Sequence, residues 1–318
     1  MLSRTYLRGC MSITHQIGAD ANHPEAIQQE LMWLMQTTPL WCSDSHWLPD
    51  RLRALPERAL IEAAETLADD WAWHGPPKRL GRRFEQLLAQ LFEHMDGLRL
   101  LSHGFAIQDR AQTIGELDFL IDYQGNIDHL EVAIKFYAGI GSVDQRGQLR
   151  HWVGPSCQDR LDLKIKHLKD HQLVLPRKPD GRDALEAADL PIPMRSTGLI
   201  FGHLLDPWDQ RMARPPDITQ LRHAYWAPFR EFQDAFRTLA RPYGGAYGWL
   251  PIPRERWIGS SHQGECIVRT PTHIERPEQA DCYVLIPRDG GGAERARLYI
   301  MPDAFETAAF RAIAGAFD

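Results

Sequence analysis

The chain reads Gly115-Glu-Leu-Asp-Phe-Leu-Ile-Asp122 and, after a short interval, His129-Leu-Glu-Val-Ala-Ile-Lys-Phe-Tyr137. Apolar and polar residues alternate in both segments with a period of two, which is the pattern of β-strands. The intervening Tyr123-Gln-Gly-Asn126 has the composition of a tight turn. The sequence therefore predicts two adjacent antiparallel strands.

The alternation also predicts which side chains share a face of each strand. On the first strand, one face should carry Leu117, Phe119 and Ile121, and the other Glu116, Asp118, Leu120 and Asp122. On the second strand, one face should carry Leu130, Val132, Ile134 and Phe136, and the other Glu131, Ala133, Lys135 and Tyr137. Acids and a lysine on facing strands are the arrangement that a metal-dependent phosphodiester-cleaving site requires.

The composition is that of an ordinary globular protein. Of the 318 residues, 43% are hydrophobic and 25% are charged. No apolar run reaches the roughly 18 residues of a membrane span, and the first ten residues lack the apolar segment of a secretory signal. The five cysteines are scattered without zinc-knuckle or redox spacing, so we expect reduced thiols in a cytoplasmic protein. The net charge of −6 excludes a surface coated in nonspecific nucleic-acid contacts but allows a local basic groove.

The chain divides into three predicted parts. Residues 1–77 are predicted to be a helical, tryptophan-rich segment, with helices over 24–34 and 56–71. Residues 78–206 should form a compact α/β unit, and residues 207–318 a mixed α+β extension. In that extension we predict a helix over 217–240, strands over 246–252, 282–287 and 298–301, a closing helix over 303–316, and a loop at 290–292.

The central part has the clearest pattern. A helix should begin near Leu80, because seven apolar residues fall on one stripe that ends at Gly97. These are Leu80, Phe84, Leu87, Leu88, Leu91, Phe92 and Met95. A strand over 98–107 precedes the two strands described above. A second helix over 159–175 should carry Leu161, Ile165, Leu168 and Leu175 on one face, and a buried strand should follow over 197–205.

This order of helix, three strands, helix and strand, with acids on the second and third strands, resembles the PD-(D/E)XK nuclease-like superfamily. The segments Leu80-Gly-Arg-Arg-Phe-Glu85, Gly115-Glu-Leu-Asp118 and Leu130-Glu-Val-Ala-Ile-Lys-Phe-Tyr137 resemble, more narrowly, an uncharacterised bacterial family assigned to it, domain of unknown function 1853. The resemblance implies an α/β fold with a restriction-endonuclease-like core. It also implies metal-dependent hydrolysis of DNA or RNA.

The resemblance assigns three metal ligands. Glu85 matches the glutamate of the first helix, Asp118 the aspartate of the second strand and Glu131 the acid of the third. Oxygen ligands of this kind suit Mg²⁺ or Mn²⁺, which would lower the pKa of a bound water and neutralise charge on the phosphate. On the residues alone, each acid can equally be a solvated side chain of a helix flank or a wet sheet face.

The lysine departs from the superfamily pattern. The superfamily places it two residues after the glutamate, where this chain has Ala133. Lys135 lies on the same face as Glu131 but about 13 Å further along the strand, at ~3.3 Å per residue. Lys135 therefore serves a neighbouring subsite or is brought closer by a bulge, or Lys164 of the second helix replaces it.

Two basic clusters flank the predicted groove and could contact phosphates. They are Lys78, Arg79, Arg82 and Arg83 on the first helix, and Arg160, Lys164, Lys166 and Lys169 on the second. Solvated helix faces account for such clusters equally well. A rival function also stands, because the misplaced lysine is compatible with a non-catalytic binding or scaffolding protein that retains the fold.

Overall fold

The structure, a computed structural model, describes residues 23–44, 48–109, 112–210, 224–259, 271–289 and 294–315. Its α-helices are α1 Pro24–Gln36, α2 Leu48–Arg53, α3 Glu57–His74, α4 Leu80–Phe92, α5 Val143–Arg146, α6 Leu161–His167, α7 Pro179–Ala187, α8 Phe232–Ala240 and α9 Phe305–Ala314. Its strands are β1 Trp41–Cys42, β2 Leu98–Asp109, β3 Gln112–Tyr123, β4 Asn126–Gly139, β5 Trp152–Val153, β6 Arg195–Pro207, β7 Ala224–Pro228, β8 Tyr247–Ile252, β9 Asp281–Pro287 and β10 Ala296–Met301. None of these helices has the length and apolarity needed to cross a membrane.

One mixed sheet organises these elements. Its main path runs β2-β3-β4-β6-β7-β10-β9-β8, with β1 paired to β6 and β5 paired to β4. The pairs β2–β3 and β3–β4 are antiparallel, whereas β4 and β6 are parallel over eleven registered residue pairs. Strands β6 and β7 pair through only two residue pairs, so this narrow junction joins the two halves of the sheet. The prediction of a mixed α/β protein is confirmed.

The predicted order of elements in the central part is also confirmed. Helix α4, strands β2, β3 and β4, helix α6 and strand β6 follow one another, with the short α5, β5 and α7 inserted. On α4, Phe84, Leu87, Leu88, Leu91 and Phe92 are all buried against the sheet. Gly97 then takes a φ of +76°, which favours glycine, and the chain enters β2. An amphipathic stripe thus fixes the helix that carries Glu85.

The two faces of β4 are as predicted. Leu130, Val132, Ile134 and Phe136 pack in the core beneath α4. Ala133 and Tyr137 pack on the opposite face with α6. Helices cover both sides of β4, so both of its faces are buried. The alternating residues therefore pack into two different hydrophobic cores.

On β3 the predicted faces are wrong at the Asp118 end. Phe119 packs toward α4, whereas Leu117 packs with Leu120 on the opposite side of the sheet. Glu116 correspondingly turns toward α4, where Arg82 pairs with it. Gly104 of β2, which lies between the partners of Phe119 and Leu117, takes a φ of +67°. At this glycine the side chains of both strands exchange the faces of the sheet on which they lie. A strict period of two cannot predict such an irregularity.

The predicted continuous helix over 159–175 is wrong in its second half. Helix α6 ends at His167 and a π-helical turn, Leu168–Gln172, follows. Leu173 N donates to Leu168 O at 2.9 Å, the wider spacing of a π turn. As a result Leu175 packs with Leu117 and Leu120 instead of continuing the face of Leu161.

The predicted helix over 217–240 is also wrong in part. Residues 224–228 form β7, which lies parallel to both β6 and β10, and α8 begins only at Phe232. All five residues of β7 are buried, which suits an inner parallel strand and gives no helical period. Residues 217–223 and the loop predicted at 290–292 lie outside the described residues. The short strands β8, β9 and β10 and the closing helix α9 are found where predicted.

Candidate active site at the divergence of two strands

The two predicted acids meet where β3 and β4 separate. The strands pair from Tyr123 and Asn126 as far as Phe119 and Leu130. Beyond this point, side chains replace the backbone ladder: Val132 N donates to Asp118 Oδ2 at 2.9 Å, and Asp118 N lies 3.4 Å from Glu131 Oε1. Each carboxylate therefore bonds the backbone of the facing strand, which fixes the two acids side by side.

Glu131 is fully enclosed by polar partners. Its Oε1 shares a hydrogen bond of 2.8 Å with His129 Nε2, and its Oε2 accepts from Gln172 Nε2. His129 Nδ1 lies 3.1 Å from Ser196 Oγ. Burial lowers the pKa of His129 to about 4, so this histidine is neutral at neutral pH. It orients Glu131 and adds no positive charge beside it.

Burial makes both carboxylates weak acids. Desolvation, together with the charge of Glu131, raises the pKa of Asp118 to about 7. Desolvation raises the pKa of Glu131 to about 8, and the nearby Glu116 and Glu85 contribute to the rise. Among the described residues, neither acid forms an ion pair with a lysine or arginine. The charge of Lys164 lowers the pKa of both acids but offsets only part of the rise, and a dication between them would relieve the rest.

Glu85 lies near this pair but is held by an arginine. Arg82, three residues earlier on α4, bridges the carboxylates of Glu85 at 2.9 Å and Glu116 at 2.7 Å. His103 approaches Glu85 at 3.9 Å. The charge of Glu85 still contributes to the raised pKa of both Asp118 and Glu131, so the three acids share one electrostatic environment.

The two candidate lysines occupy different positions. Lys135 Nζ pairs with Asp159 Oδ2 at 2.6 Å, and Tyr137 Oη donates to the same oxygen at 3.3 Å. Lys164 Nζ donates to Gln172 Oε1 at 3.0 Å, and Gln172 in turn donates to Glu131. Burial, reinforced by the charge of Lys135, lowers the pKa of Lys164. Lys164 is thus linked to the acid pair through one amide, whereas Lys135 is paired elsewhere.

Two adjoining clefts border the site. The smaller, about 490 Å³, is lined by Asp118, Glu85, Glu116 and Gln172, with His167 and His171 on the helical wall. The larger, about 1070 Å³, is lined by Lys135 and Lys164. Arg79, Gly81 and His167 line both, so the two clefts form one groove. Asp118 faces this groove directly, and Glu131 lies buried behind it.

Some residues of the two predicted basic clusters are buried and stabilise the fold instead of facing the groove. Arg83 is 1% exposed and pairs with Glu30, and Arg160 is buried and donates to Ala312 O at 2.6 Å. Lys166 pairs with Asp170 on the surface. Lys78, Arg79 and Lys164 do line the groove. The two clusters therefore contribute only some of their members to the groove.

Sequence reasoning missed His129 and Gln172. His129 carries a detectable signal, because it lies two residues before Glu131 and so on the same face of the strand. Gln172 carries none. It reaches Glu131 only because the π turn rotates it toward β4, and nothing in the local sequence specifies that turn.

The donor set suits a hard dication at two carboxylates. In the described part of the chain, no three histidine, cysteine, aspartate or glutamate side chains group in a way that could hold a metal ion. Mg²⁺ commonly binds through only one or two carboxylates and keeps waters and phosphate oxygens as its remaining ligands. Asp118 and Glu131 fit that requirement, and their raised pKa values show that the nearby Lys164 does not fully offset the cost of burying them.

Comparison with known proteins yields one match. Neither a curated protein nor a solved structure is significantly similar to the chain. A family described as Domain of unknown function (DUF1853) matches residues 29–289, which is most of the sequence. The family predicted from the motifs around Glu85, Asp118 and Glu131 is confirmed, and the chain belongs to the DUF1853 family.

Proposed function

We propose that this protein is a metal-dependent nuclease that hydrolyses phosphodiester bonds of nucleic acid. The observation that carries the proposal is the buried pair Asp118 and Glu131, side by side at the point where two strands separate and next to an open groove. Two acids with raised pKa values and no arginine or lysine ion pair within the described chain are costly to the fold. Such clusters are typical of functional sites.

The arrangement of elements supports the same proposal. A helix, three antiparallel strands, a helix and a further strand parallel to the third is the order expected of a restriction-endonuclease-like core over residues 78–206. The acids lie at matching positions, on α4, β3 and β4. Since a fold alone does not specify an activity, the acid pair and its groove remain the main argument.

Each residue of the site would have its own role. Asp118 and Glu131 would hold Mg²⁺ or Mn²⁺, which when bound supplies an activated water and neutralises charge on the phosphate. His129 and Gln172 keep Glu131 in one orientation. Lys164, linked to Glu131 through Gln172, stabilises negative charge that develops on the phosphate. Glu85 can act as a third ligand when Arg82 pairs with another anion, such as a substrate phosphate.

Calorimetric titration with Mn²⁺ tests the metal site. We expect micromolar-range binding at about pH 8 that is lost in Glu131→Gln, because glutamine retains the shape but not the charge. Affinity should fall as the pH is lowered to about 6, since the two acids then bind protons in place of metal. Glu65→Gln, an exposed carboxylate of α3, is the matched control and should bind like the wild type. A wild-type protein that binds no Mn²⁺ contradicts the proposal.

Substituting Gln172 tests the link between Lys164 and the acids. In Gln172→Leu we expect cleavage about 10- to 100-fold slower, as for other groups that orient a metal ligand. The acidic limb of the pH profile should move to higher pH, because Glu131 loses a hydrogen bond that favours its ionised form. Gln90→Leu on α4 makes the same change at a side chain that donates to Glu93 and lines neither cleft, and it should leave the pH profile unchanged. A uniform loss of rate with no displacement of the profile would argue against the link.

A non-catalytic binding protein is the second candidate, and one observation favours it. Glu131 has no exposed surface, and hydrogen bonds from His129 and Gln172 occupy its oxygens. A site closed in this way can be a structural remnant. The Mn²⁺ titration separates the two candidates, because a remnant has no reason to bind the metal.

A further inference from the structure

The larger cleft lies along an unpaired strand edge. Strand β4 pairs with β6 on one side over most of its length, from Asp128 to Ala138. On its other side, β3 leaves after Leu130 and β5 joins only at Ala138. No described strand pairs with this edge in between, and residues 132–136 form the floor of the cleft. The cleft is therefore an elongated opening beside the acid pair rather than a closed pocket.

Positive charge predominates in this cleft. Its basic lining residues are Lys78, Arg79, Lys135, Lys164 and Arg254, against the acidic Asp159 and Glu255. The whole chain, by contrast, carries a net charge of −6. A local excess of cations on an acidic protein points to a polyanionic ligand at this place.

The cleft also contains apolar surface that a purely electrostatic site does not need. Leu163, the neighbour of Lys164 on α6, is 47% exposed and lines the cleft. Phe136 and Trp257 also line the cleft, but both rings are buried, at 7% and 3% exposure, so the apolar side chain that a ligand can reach is Leu163. An exposed leucine between cations suits a ligand that carries charge along one side and flat apolar groups along the other.

A single strand of nucleic acid has this character, because its phosphates and its base faces are both accessible. A duplex presents its phosphates and hides the base faces, so it would leave Leu163 in water. We propose that the larger cleft binds single-stranded nucleic acid, with phosphates on the lysines and Arg79 and with bases against Leu163. This inference rests on the proposed function, since the bound strand would continue past Arg79 to Asp118.

Fluorescence anisotropy in EDTA tests binding without cleavage. The probes are a labelled single strand of about 12 nucleotides, as DNA and as RNA, and the DNA duplex of the same sequence, in about 0.1 M salt. We expect at least one single strand to bind about tenfold or more tighter than the duplex. Leu163→Ala should weaken single-strand binding about five- to tenfold or more and leave duplex binding unchanged. Ile192→Ala, an equally exposed aliphatic residue outside both clefts, should have no effect.

The outcomes separate this inference from the nuclease proposal. Three results would overturn the inference, even in a protein that cleaves duplex with Mn²⁺. They are duplex binding as tight as single-strand binding, no binding of either single strand, and single-strand binding by Leu163→Ala that equals that of the wild type. Conversely, a protein that prefers single strands through Leu163 but cleaves nothing with Mn²⁺ loses the nuclease assignment and retains this binding site.

Discussion

Replacing Asp118 by asparagine is expected to abolish Mn²⁺-dependent cleavage and, at about pH 8, to make the protein more stable. Asparagine keeps an oxygen that can accept the bond from Val132 N, so the junction of the two strands is preserved. It removes the charge that would hold the metal, and we expect a rate loss of about 10³-fold. The same change removes a buried negative charge that the fold must otherwise tolerate beside Glu131.

The gain in stability should depend on pH. The pKa of Asp118 is raised from 3.8 to about 7, so the folded protein binds this proton more tightly than the unfolded chain does. The protonated group contributes stability below about pH 4, and that contribution is lost as the pH rises through 7. At about pH 8, Asp118→Asn should therefore raise the free energy of unfolding by about 3 kcal/mol. Near pH 4 the gain should disappear.

Thermal unfolding at about pH 5 and pH 8, together with a cleavage assay, measures both effects. A gain of this size corresponds to a rise in Tm of about 4–5 °C for a chain of 318 residues. Asp122→Asn is the control on the same strand: Asp122 pairs with Arg99 near the turn, and its replacement should spare activity and add no stability. Cleavage that persists in Asp118→Asn removes Asp118 from the site. A stability gain of the same size at both pH values would mean that the charge is not its cause.

Local periodicity was sufficient to predict much of the framework of this site. The apolar stripe of α4 predicts which side of the helix is buried, and the alternation on β4 places Glu131 and Lys135 on the face opposite Val132. The Gln124-Gly125 turn then pairs β3 with β4, so Asp118 and Glu131 meet once the strands are in register. These features follow from neighbours in sequence, for which the helical and strand periods are reliable guides.

The remaining features depend on contacts between distant parts of the chain. Gly104 turns β2 and β3 over together, and so Glu116 faces Arg82 rather than sharing the side of Leu120. The π turn directs Gln172 at Glu131, a residue 41 positions earlier in the chain. The sequence analysis grouped the adjacent Arg82 and Arg83 by charge, yet one is at the groove and the other in the core. The helical period separates them, since Arg83 lies three residues after Leu80 and four before Leu87, on the apolar stripe.

The second large effect is expected at Arg83. Its side chain is buried, its Nε donates to Glu30 Oε2 at 2.8 Å, and its guanidinium lies 4.1 Å over the ring of Trp71. These contacts join α1, α3 and α4. Arg83→Met keeps most of the volume but leaves the carboxylate of Glu30 buried without this partner. Removing one member of such a pair costs about 3–5 kcal/mol, or roughly 4–8 °C in Tm for a chain of this length.

The pH dependence of this loss identifies its cause. Burial raises the pKa of Glu30 even with Arg83 present, and removal of the arginine should raise it further. A raised pKa means stability that is retained at low pH and lost as the pH increases, so Arg83→Met should be more harmful at about pH 8 than at about pH 5. The double variant Glu30→Met with Arg83→Met should recover most of the loss, because both charges of the buried pair are removed together.

Arg82→Met is the matched control, since the same substitution is made one residue earlier on α4. The Arg82 side chain is 51% exposed, and its ion pairs with Glu85 and Glu116 should contribute less than about 1 kcal/mol to stability. Equal destabilisation by the two substitutions would show that α4 is not anchored through Glu30. If instead only Arg83→Met destabilises, while Arg82→Met alters Mn²⁺ affinity by releasing Glu85, then adjacent arginines on one helix have separate roles. One fixes the position of α4, and the other controls the charge that α4 presents to the acid pair.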